Sequence, residues 1–365
     1  MTPDSARPGP CPSLTDVGYA PYFSAQLDLL GGEGLVPARI AADGSGLYSL
    51  LGCAAAQGEL TGKLRQKLSP AERPVAGDWV AVDPSHDPAT IHHVLDRRTV
   101  LRRRAAGRAA ATQIIAANVD VFFVVTSADR DLNPRRVERY VAAVLDGGAN
   151  PVIVVNKTDL VADPSSLVEE LGVAAATTPV VCVSAQAGTD LDALREHIGQ
   201  GTTVGLVGSS GVGKSTLVNR LLGRAALPTT ATRSDGKGRH TTTRRQLLVL
   251  PTGGILIDTP GMRELGLAED EGGLDAAFPE LSAIAERCRF GDCGHSGEPG
   301  CAVLAAVEAG EVDRARLDSY RQLQREIAVA EARRDPAVAG NVKRRWKTIS
   351  KAIRALEREE RQRRR

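Results

Sequence analysis

The sequence predicts three folded parts in series: a small N-terminal β-barrel or sandwich, a central α/β domain on a mostly parallel sheet, and a C-terminal helical domain around a Cys/His cluster. Three observations predict this. From Pro37 to about Arg104, short strand-like runs alternate with Gly, Pro and Asp breaks, a spacing that suits small all-β domains. From about Ala111, apolar strands alternate with amphipathic helices, the pattern of a parallel sheet covered on both faces. Beyond about Gly272 the chain turns helical and carries CRFGDCGHSGEPGC between Cys288 and Cys301. The expected boundaries are an extension over residues 1–34, the β-domain over 35–110, the α/β domain over 111–272, the helical domain over 273–340 and a tail over 341–365.

The elements follow from local pattern. Prolines at 3, 8, 10 and 12 oppose regular structure at the start, whereas VGYAPYFSAQL carries three aromatics suited to docking on the body. The β-domain reads as ARIAAD, GLYSLLG, GDWVAVD and TIHHVLD, with Trp79 and Val82 as expected core. In the α/β domain the expected strands are VDVFFVVTS, PVIVVN, PVVCVS, TTVGLVG, RRQLLVLP and GGILIDTP. PRRVERYVAAVLDGG opens on Pro and closes on Gly, the signature of a helix with both ends marked. Further helices are expected near Ser165–Leu171, near Asp190–Ile198, after Gly213 and, long and charged, near Arg314–Arg333.

Composition narrows the class. The 365 residues are 42% hydrophobic and 25% charged, which excludes a wholly disordered chain. Aromatics make up 3%, so the cores must be built from Val, Leu, Ile and Ala. No apolar run is long enough for a membrane helix, and the Pro-rich start lacks the apolar segment of a secretory signal. Six cysteines in a chain of this length do not make a disulfide scaffold. A cytoplasmic monomer with no membrane contact is the expectation.

The net charge of +2 hides an uneven distribution. Arg97 to Arg108 holds six arginines and no acid, and Lys343 to Arg365 holds eleven basic and three acidic residues. These segments carry +6 and +8, leaving −12 on the remaining 330 residues. Localised positive charge on an acidic body suits a polyanion such as RNA. Tyr48 and Trp79 are the only aromatics of the β-domain strands, so RNA contact there is expected to be mainly electrostatic.

The chemistry lies in the α/β domain. GSSGVGKST spans Gly208, Ser209, Ser210, Gly211, Val212, Gly213, Lys214, Ser215 and Thr216, after an apolar strand and before a helical segment. This is the context in which G-x-x-x-x-G-K-[ST] cradles phosphates. Its backbone N–H groups curl round phosphate oxygens, Lys214 adds charge, the helix N-terminus adds its dipole, and Ser215 offers a Mg²⁺ ligand. ILIDTPG ends a buried strand with Asp258 and Gly261; the Asp can hold the Mg²⁺ shell through water and the Gly N–H can approach the γ-phosphate. VVNKTDL places Asn156, Lys157, Thr158 and Asp159 after another strand. A carboxylate there accepts from the N1–H and N2–H₂ edge of guanine, whereas adenine, with no donor at N1, leaves it unpaired. Lys157 can lie over the base, Asn156 can tie neighbouring loops, and Ser184–Ala185–Gln186 suits a second base-contacting loop.

The order of these motifs is informative. In ordinary GTPases the phosphate loop precedes the N-K-x-D and S-A-x elements; here NKTD and SAQ come first and DTPG last. The module therefore resembles a circularly permuted GTPase. With a β-domain before it and a Cys/His cluster after it, the chain resembles the ribosome small subunit-dependent GTPase A family (RsgA, also called YjeQ) over roughly residues 35–310. GRHTTT, Gly238–Thr243, also resembles that family's first switch. The resemblance implies that the β-domain is an OB-like barrel, that the small ribosomal subunit stimulates hydrolysis of GTP to GDP, and that the protein acts in late 30S maturation on 16S rRNA.

The catalytic machinery departs from the common pattern. The position that often holds a water-orienting Gln is Met262, and Gly211 stands where potassium-activated relatives often carry Asn. His240 is then the candidate for positioning the attacking water, as the resemblance also implies. One threonine of the switch, Thr242 or its neighbours Thr241 and Thr243, is expected to ligate Mg²⁺ with Ser215. No arginine finger is evident in the sequence, so isolated turnover is expected to be slow. Because the second switch leads straight into the C-terminal domain, γ-phosphate sensing can pull on that domain.

Cys288-x₄-Cys293-x-His295-x₅-Cys301 supplies three thiolates and an imidazole within fourteen residues. That set closes a tetrahedral Zn²⁺ site with no open position, which means structure rather than catalysis. Cys11, Cys53 and Cys182 are scattered and read as incidental thiols. The leading functional expectation is a GTPase assembly factor contacting the small subunit through barrel, zinc domain and tail. The alternatives are a GTP-gated RNA-binding checkpoint with little turnover and a permuted GTPase acting on another RNA.

Overall fold

A computed structural model describes residues 12–32, 34–44, 46–69, 72–104, 112–129, 132–172, 178–225, 246–258, 274–275 and 277–334. They fall into two compact units, one within Met1–Arg103 and Thr112–Leu265 and the other mainly within Gly266–Arg365.

The first unit is organised by one eleven-stranded sheet. Helix α1 (Pro21–Leu30) precedes strands β1 (Val36–Gly44), β2 (Leu47–Leu51) and β3 (Gln57–Leu60), helix α2 (Gly62–Lys67), and strands β4 (Trp79–Asp83) and β5 (Ala89–Val94). The five strands pair in the order β1-β2-β3-β5-β4, and β4 pairs back onto β1. This closes a barrel, the arrangement that leaves no free edge. Ile40, Tyr48, Leu50, Val80, Val82 and Ile91 fill it.

Trp79 does not belong to that core. Successive side chains on a strand face opposite ways, so Val80 and Val82 turn into the barrel while Trp79 turns outward to pack with Val17, Phe23 and Leu95. The Tyr19 and Phe23 rings lie tilted against the Trp79 ring, with centroids at 4.8 and 5.5 Å. The aromatic segment of the extension thus docks on the outside of the barrel. With Tyr48 and Trp79 both buried, neither is available for base stacking.

Arg39, the register partner of Trp79, faces the same way and is fully buried. Its guanidinium donates to three carbonyls: Gly77 at 3.3 Å, Val17 at 2.6 Å and Asn118 at 3.0 Å. One side chain therefore holds the extension, the barrel and the start of the α/β domain together. Burial pulls its pKa down to about 9, still above neutral pH, and the three acceptors compensate a charge that would be costly if left unpaired.

The arginine-rich segment is partly internal. Arg97 forms a two-pronged ion pair with buried Asp78, both contacts at 2.7 Å, and Arg98 pairs with Asp120. Two of the six arginines counted toward a polyanion surface are therefore committed to the fold, because Asp78 and Asp120, far away in sequence, lie beside them. Arg102 is exposed.

A two-stranded sheet of β6 (Val100–Arg104) and β7 (Thr112–Ala117) leads into the α/β part. There β8 (Val121–Ser127), α3 (Pro134–Asp146), β9 (Asn150–Asn156), α4 (Ser165–Leu171), β10 (Val180–Cys182), α5 (Leu191–Arg195), β11 (Thr203–Gly208), α6 (Lys214–Leu222), β12 (Gln246–Val249) and β13 (Ile255–Asp258) follow. The strand order is β10-β9-β8-β11-β13-β12, parallel except for β12. Phe123, Val125, Val154, Val204 and Leu206 line a core against Leu217, Leu221 and Leu194. Gln246 of β12 pairs with Ala42 of β1 on one side and Asp258 of β13 on the other, which joins barrel and sheet into one surface.

The second unit is helical. Helix α7 (Pro279–Ala285) precedes the Cys/His segment, and α8 (Ala302–Glu308) and α9 (Arg314–Arg334) follow it. Buried Arg316 ties α9 to α7: it donates to Glu280 at 2.7 Å and to the Ala277 carbonyl at 2.7 Å, and lies 3.8 Å over the Phe278 ring. Among the described residues, no helix is long and apolar enough to cross a membrane.

Candidate functional site

In an open α/β sheet, ligands bind outside the carboxyl ends of the strands where the strand order reverses. Register brings the motif residues to that edge: Gly208 pairs with Val125, Ser127 with Asn156, and Cys182 with Val155. Chain order is β8, β9, β10, then β11, yet β11 sits between β8 and β13. The loop after β11 therefore opens at the reversal.

Sequence dictates the shape of that loop. Gly208 has φ 145° and Gly213 φ 95°, values that side chains rarely tolerate. A Cβ on Gly208 would meet the Val125 carbonyl at 2.1 Å, and one on Gly213 the Asn156 amide nitrogen at 2.2 Å. Both glycines are required by close approach as well as by φ. Val212 is fully buried in the sheet core and anchors the loop from below. Lys214 opens α6, and its ammonium donates to the carbonyls of Gly208 at 2.8 Å and Ser209 at 2.5 Å, so the charge lies over the curl of the loop. The first N–H groups of α6 open onto this loop, an arrangement suited to an anion.

Asn156, buried at the end of β9, fastens this loop to its neighbours. Its amide donates to the Val212 carbonyl at 2.8 Å, and its oxygen accepts from Ala185 N at 2.9 Å. Lys157 takes a left-handed conformation, φ 64°, and its ammonium contacts Asp129 at 2.6 Å. Thr158–Leu160 forms a 3₁₀ turn that presents Asp159 in an exposed position. The Ser184 hydroxyl donates to the Asp159 carboxylate and accepts from Ala187 N at 3.0 Å. One carboxylate oxygen is thus held while the group as a whole faces outward, able to accept from a pair of donors on a planar ligand.

The structure brings Asn156, Lys157, Thr158, Asp159, Ser184, Ala185 and the run Gly208–Thr216 to one sheet edge. Asp258 ends β13, which runs parallel to β11. Gly261, His240, Thr241, Thr242 and Thr243 lie outside the described residues. Three residues were missed by sequence reasoning. Asp129 is the partner of Lys157; Arg136, in the first turn of α3, donates to the Ser209 hydroxyl at 2.5 Å; Arg220, at the end of α6, donates to the carbonyls of Ala185 and Gln186. Each contact depends on which strands are neighbours, and no local pattern carries that information.

The second unit holds a separate cluster. The ligand atoms of Cys288, Cys293, His295 and Cys301 all lie within 4.8 Å of one another. The backbone wraps round them: His295 adopts φ 51°, Arg289 N donates to the Gly300 carbonyl at 3.1 Å, and Leu304 N donates to Cys301 Sγ at 3.4 Å. Glu298 accepts from the N–H groups of Gly294, Ser296 and Gly297, which fixes the turn. Burial, with the neighbouring Cys301 and Cys288 sulfurs, pushes the Cys293 thiol up to about 12. Such crowding of sulfurs is relieved by a cation that bonds all three. The described cysteines form no disulfide, and the set fits a metal ion.

A glycine-rich loop of the G-x-x-x-x-G-K-[ST] pattern beside the outward-facing Asp159, placed on a sheet whose strands enter in permuted order, defines a circularly permuted P-loop GTPase. The RsgA GTPase family profile matches residues 94–268. The small ribosomal subunit biogenesis GTPase RsgA of Opitutus terrae is 44% identical over 363 residues, covering 95% of this chain and 98% of that protein. The protein of the same name from Streptomyces avermitilis is 48% identical over 275 residues, 74% of each chain. The crystal structure of YjeQ from Thermotoga maritima superposes with a TM-score of 0.61 at 27% identity, over 80% of this chain and 98% of that one. The chain belongs to the RsgA GTPase family.

Proposed function

We propose that this protein is a GTPase of small ribosomal subunit assembly, hydrolysing GTP to GDP and phosphate with the subunit as its activator. The observation that supports the enzymatic part is that Asn156 joins the Gly208–Thr216 loop to the Ser184–Ala185 loop, whose Ser184 holds the Asp159 carboxylate. The subunit follows from relatives named for small-subunit biogenesis that align along nearly the whole chain. Phosphates lie against the N–H groups of Gly208–Thr216 with Lys214 above them, and Asp159 accepts from the base edge. Ser215, a switch threonine (Thr242, with Thr241 and Thr243 as the alternatives) and, through water, Asp258 would hold Mg²⁺. When bound it neutralises charge on the β- and γ-phosphates. Gly261 offers its N–H to the γ-phosphate, and His240 positions the attacking water, a role that Met262 cannot fill.

Cys288, Cys293, His295 and Cys301 hold one Zn²⁺, which stabilises the second unit rather than taking part in the reaction. The protein acts as a monomer in the cytoplasm and contacts 16S rRNA. The barrel's buried aromatics make its share of that contact electrostatic. The second unit adds exposed Phe290 with Arg289 over its ring at 5.5 Å, a pair suited to stacking on an unpaired base. Co-sedimentation with purified small subunits tests this reading. A non-hydrolysable GTP analogue should carry the protein into the subunit pellet, and GDP should leave most of it in the supernatant. Equal recovery with large subunits would contradict the assignment.

A further inference from the structure

Arg220 lies in the last turn of α6, the helix that begins at the phosphate loop. A last-turn arginine ordinarily points into solvent or back to its own helix's carbonyls. Here its donors go elsewhere. Nε donates to the Ala185 carbonyl at 2.8 Å and Nη2 to the Gln186 carbonyl at 2.6 Å. Gly188 flanks the guanidinium, close enough that a Cβ there would touch it at 3.9 Å. Two successive peptides of the Ser184–Gly188 loop are therefore held by one planar fork.

The consequence runs through peptide geometry. In a trans peptide the C=O and N–H point to opposite sides. Fixing the Gln186 carbonyl on Arg220 turns Ala187 N–H the other way, where it donates to the Ser184 hydroxyl at 3.0 Å. With its oxygen engaged by that donor, Ser184 gives its own proton to Asp159. Arg220 is thus linked, through the Gln186–Ala187 peptide and one hydroxyl, to the carboxylate read above as the guanine acceptor. Fixing the Ala185 carbonyl likewise turns Gln186 N–H away from Arg220, toward the opposite side of the loop.

We propose that Arg220 is a positioning residue for base discrimination: it sets the orientation of the Ala185 and Gln186 peptides and, through Ser184, of Asp159, so that the helix carrying the phosphate loop also fixes the base-reading edge. This rests on the guanine-nucleotide reading of the site. The test compares GDP and ADP dissociation constants, by displacement of a fluorescent nucleotide, in the full chain and in R220A and R220K, alongside thermal unfolding. In R220A the preference for GDP over ADP should narrow about tenfold, the scale of two lost hydrogen bonds. ADP binding and the unfolding midpoint should hold. R220K, which can reach one carbonyl, should recover part of the preference. General loosening of the fold would weaken both nucleotides together and lower the midpoint; that result, or a preference within twofold of the parent in R220A, would overturn the proposal. A parent protein that does not prefer GDP to ADP would instead overturn the guanine reading, and the proposal with it.

Discussion

Asp159→Asn should convert the site from guanine to xanthine nucleotides. Because the Ser184 hydroxyl accepts from Ala187 N, its proton is committed to residue 159. The new amide must therefore turn its oxygen to Ser184 and its NH₂ to the base. Guanine presents donors on that edge, so donor faces donor. Xanthine presents a carbonyl at C2, which accepts. Losing charge-assisted hydrogen bonds to guanine is expected to weaken GTP and GDP by about a hundred- to a thousandfold, roughly 3–4 kcal/mol. Xanthine nucleotides should gain by a comparable factor. Titration of both nucleotide series against parent and variant checks this, and a variant that still prefers GDP would remove Asp159 from the base pocket.

Loss of the metal should be as drastic, but in the other unit. With four ligand atoms inside 4.8 Å and a buried His295 and Cys301 among them, the loop from Cys288 to Cys301 has little apolar core of its own. Structural zinc sites contribute about 10–16 kcal/mol of binding free energy to folding, as much as or more than the whole stability of most domains. Cys301→Ser, or exhaustive chelation, should therefore abolish amide protection across residues 281–307 and leave nucleotide affinity in the first unit largely intact. Metal analysis should return one zinc per chain. Unchanged protection in metal-free protein would show that the cluster is not what holds this unit.

The sequence was most legible where one residue type answers to one local demand. A Cβ on Gly208 would come within 2.1 Å of the Val125 carbonyl, and one on Gly213 within 2.2 Å of the Asn156 amide; NKTD, SAQ and GSSGVGKS lie at strand ends because the apolar runs before them end there. The parallel sheet and the helical unit with its Cys/His cluster were readable for the same reason. What stayed hidden depends on partners distant in the chain. Strand β3 and helix α2, over residues 57–67, alternate too weakly to be recognised. Trp79 reads as barrel core by hydrophobicity alone, yet the two-residue period of its strand turns it outward onto Phe23. Arg97 and Arg98 look like free positive charge until Asp78 and Asp120 fold beside them. Arg136 and Arg220 look like ordinary helix-surface cations until strand order puts Ser209 and the SAQ loop within reach.

The most direct measurement is steady-state GTP hydrolysis by the full chain, alone and with purified small or large ribosomal subunits. With Met262 and Gly211 in place of the usual catalytic helpers, isolated turnover should be slow. Small subunits should raise it by about a hundredfold or more, within the range by which activating partners complete a P-loop GTPase site, and large subunits should leave it at the basal rate. The same rate in all three mixtures would contradict the central claim that this permuted site is an engine driven by the small subunit.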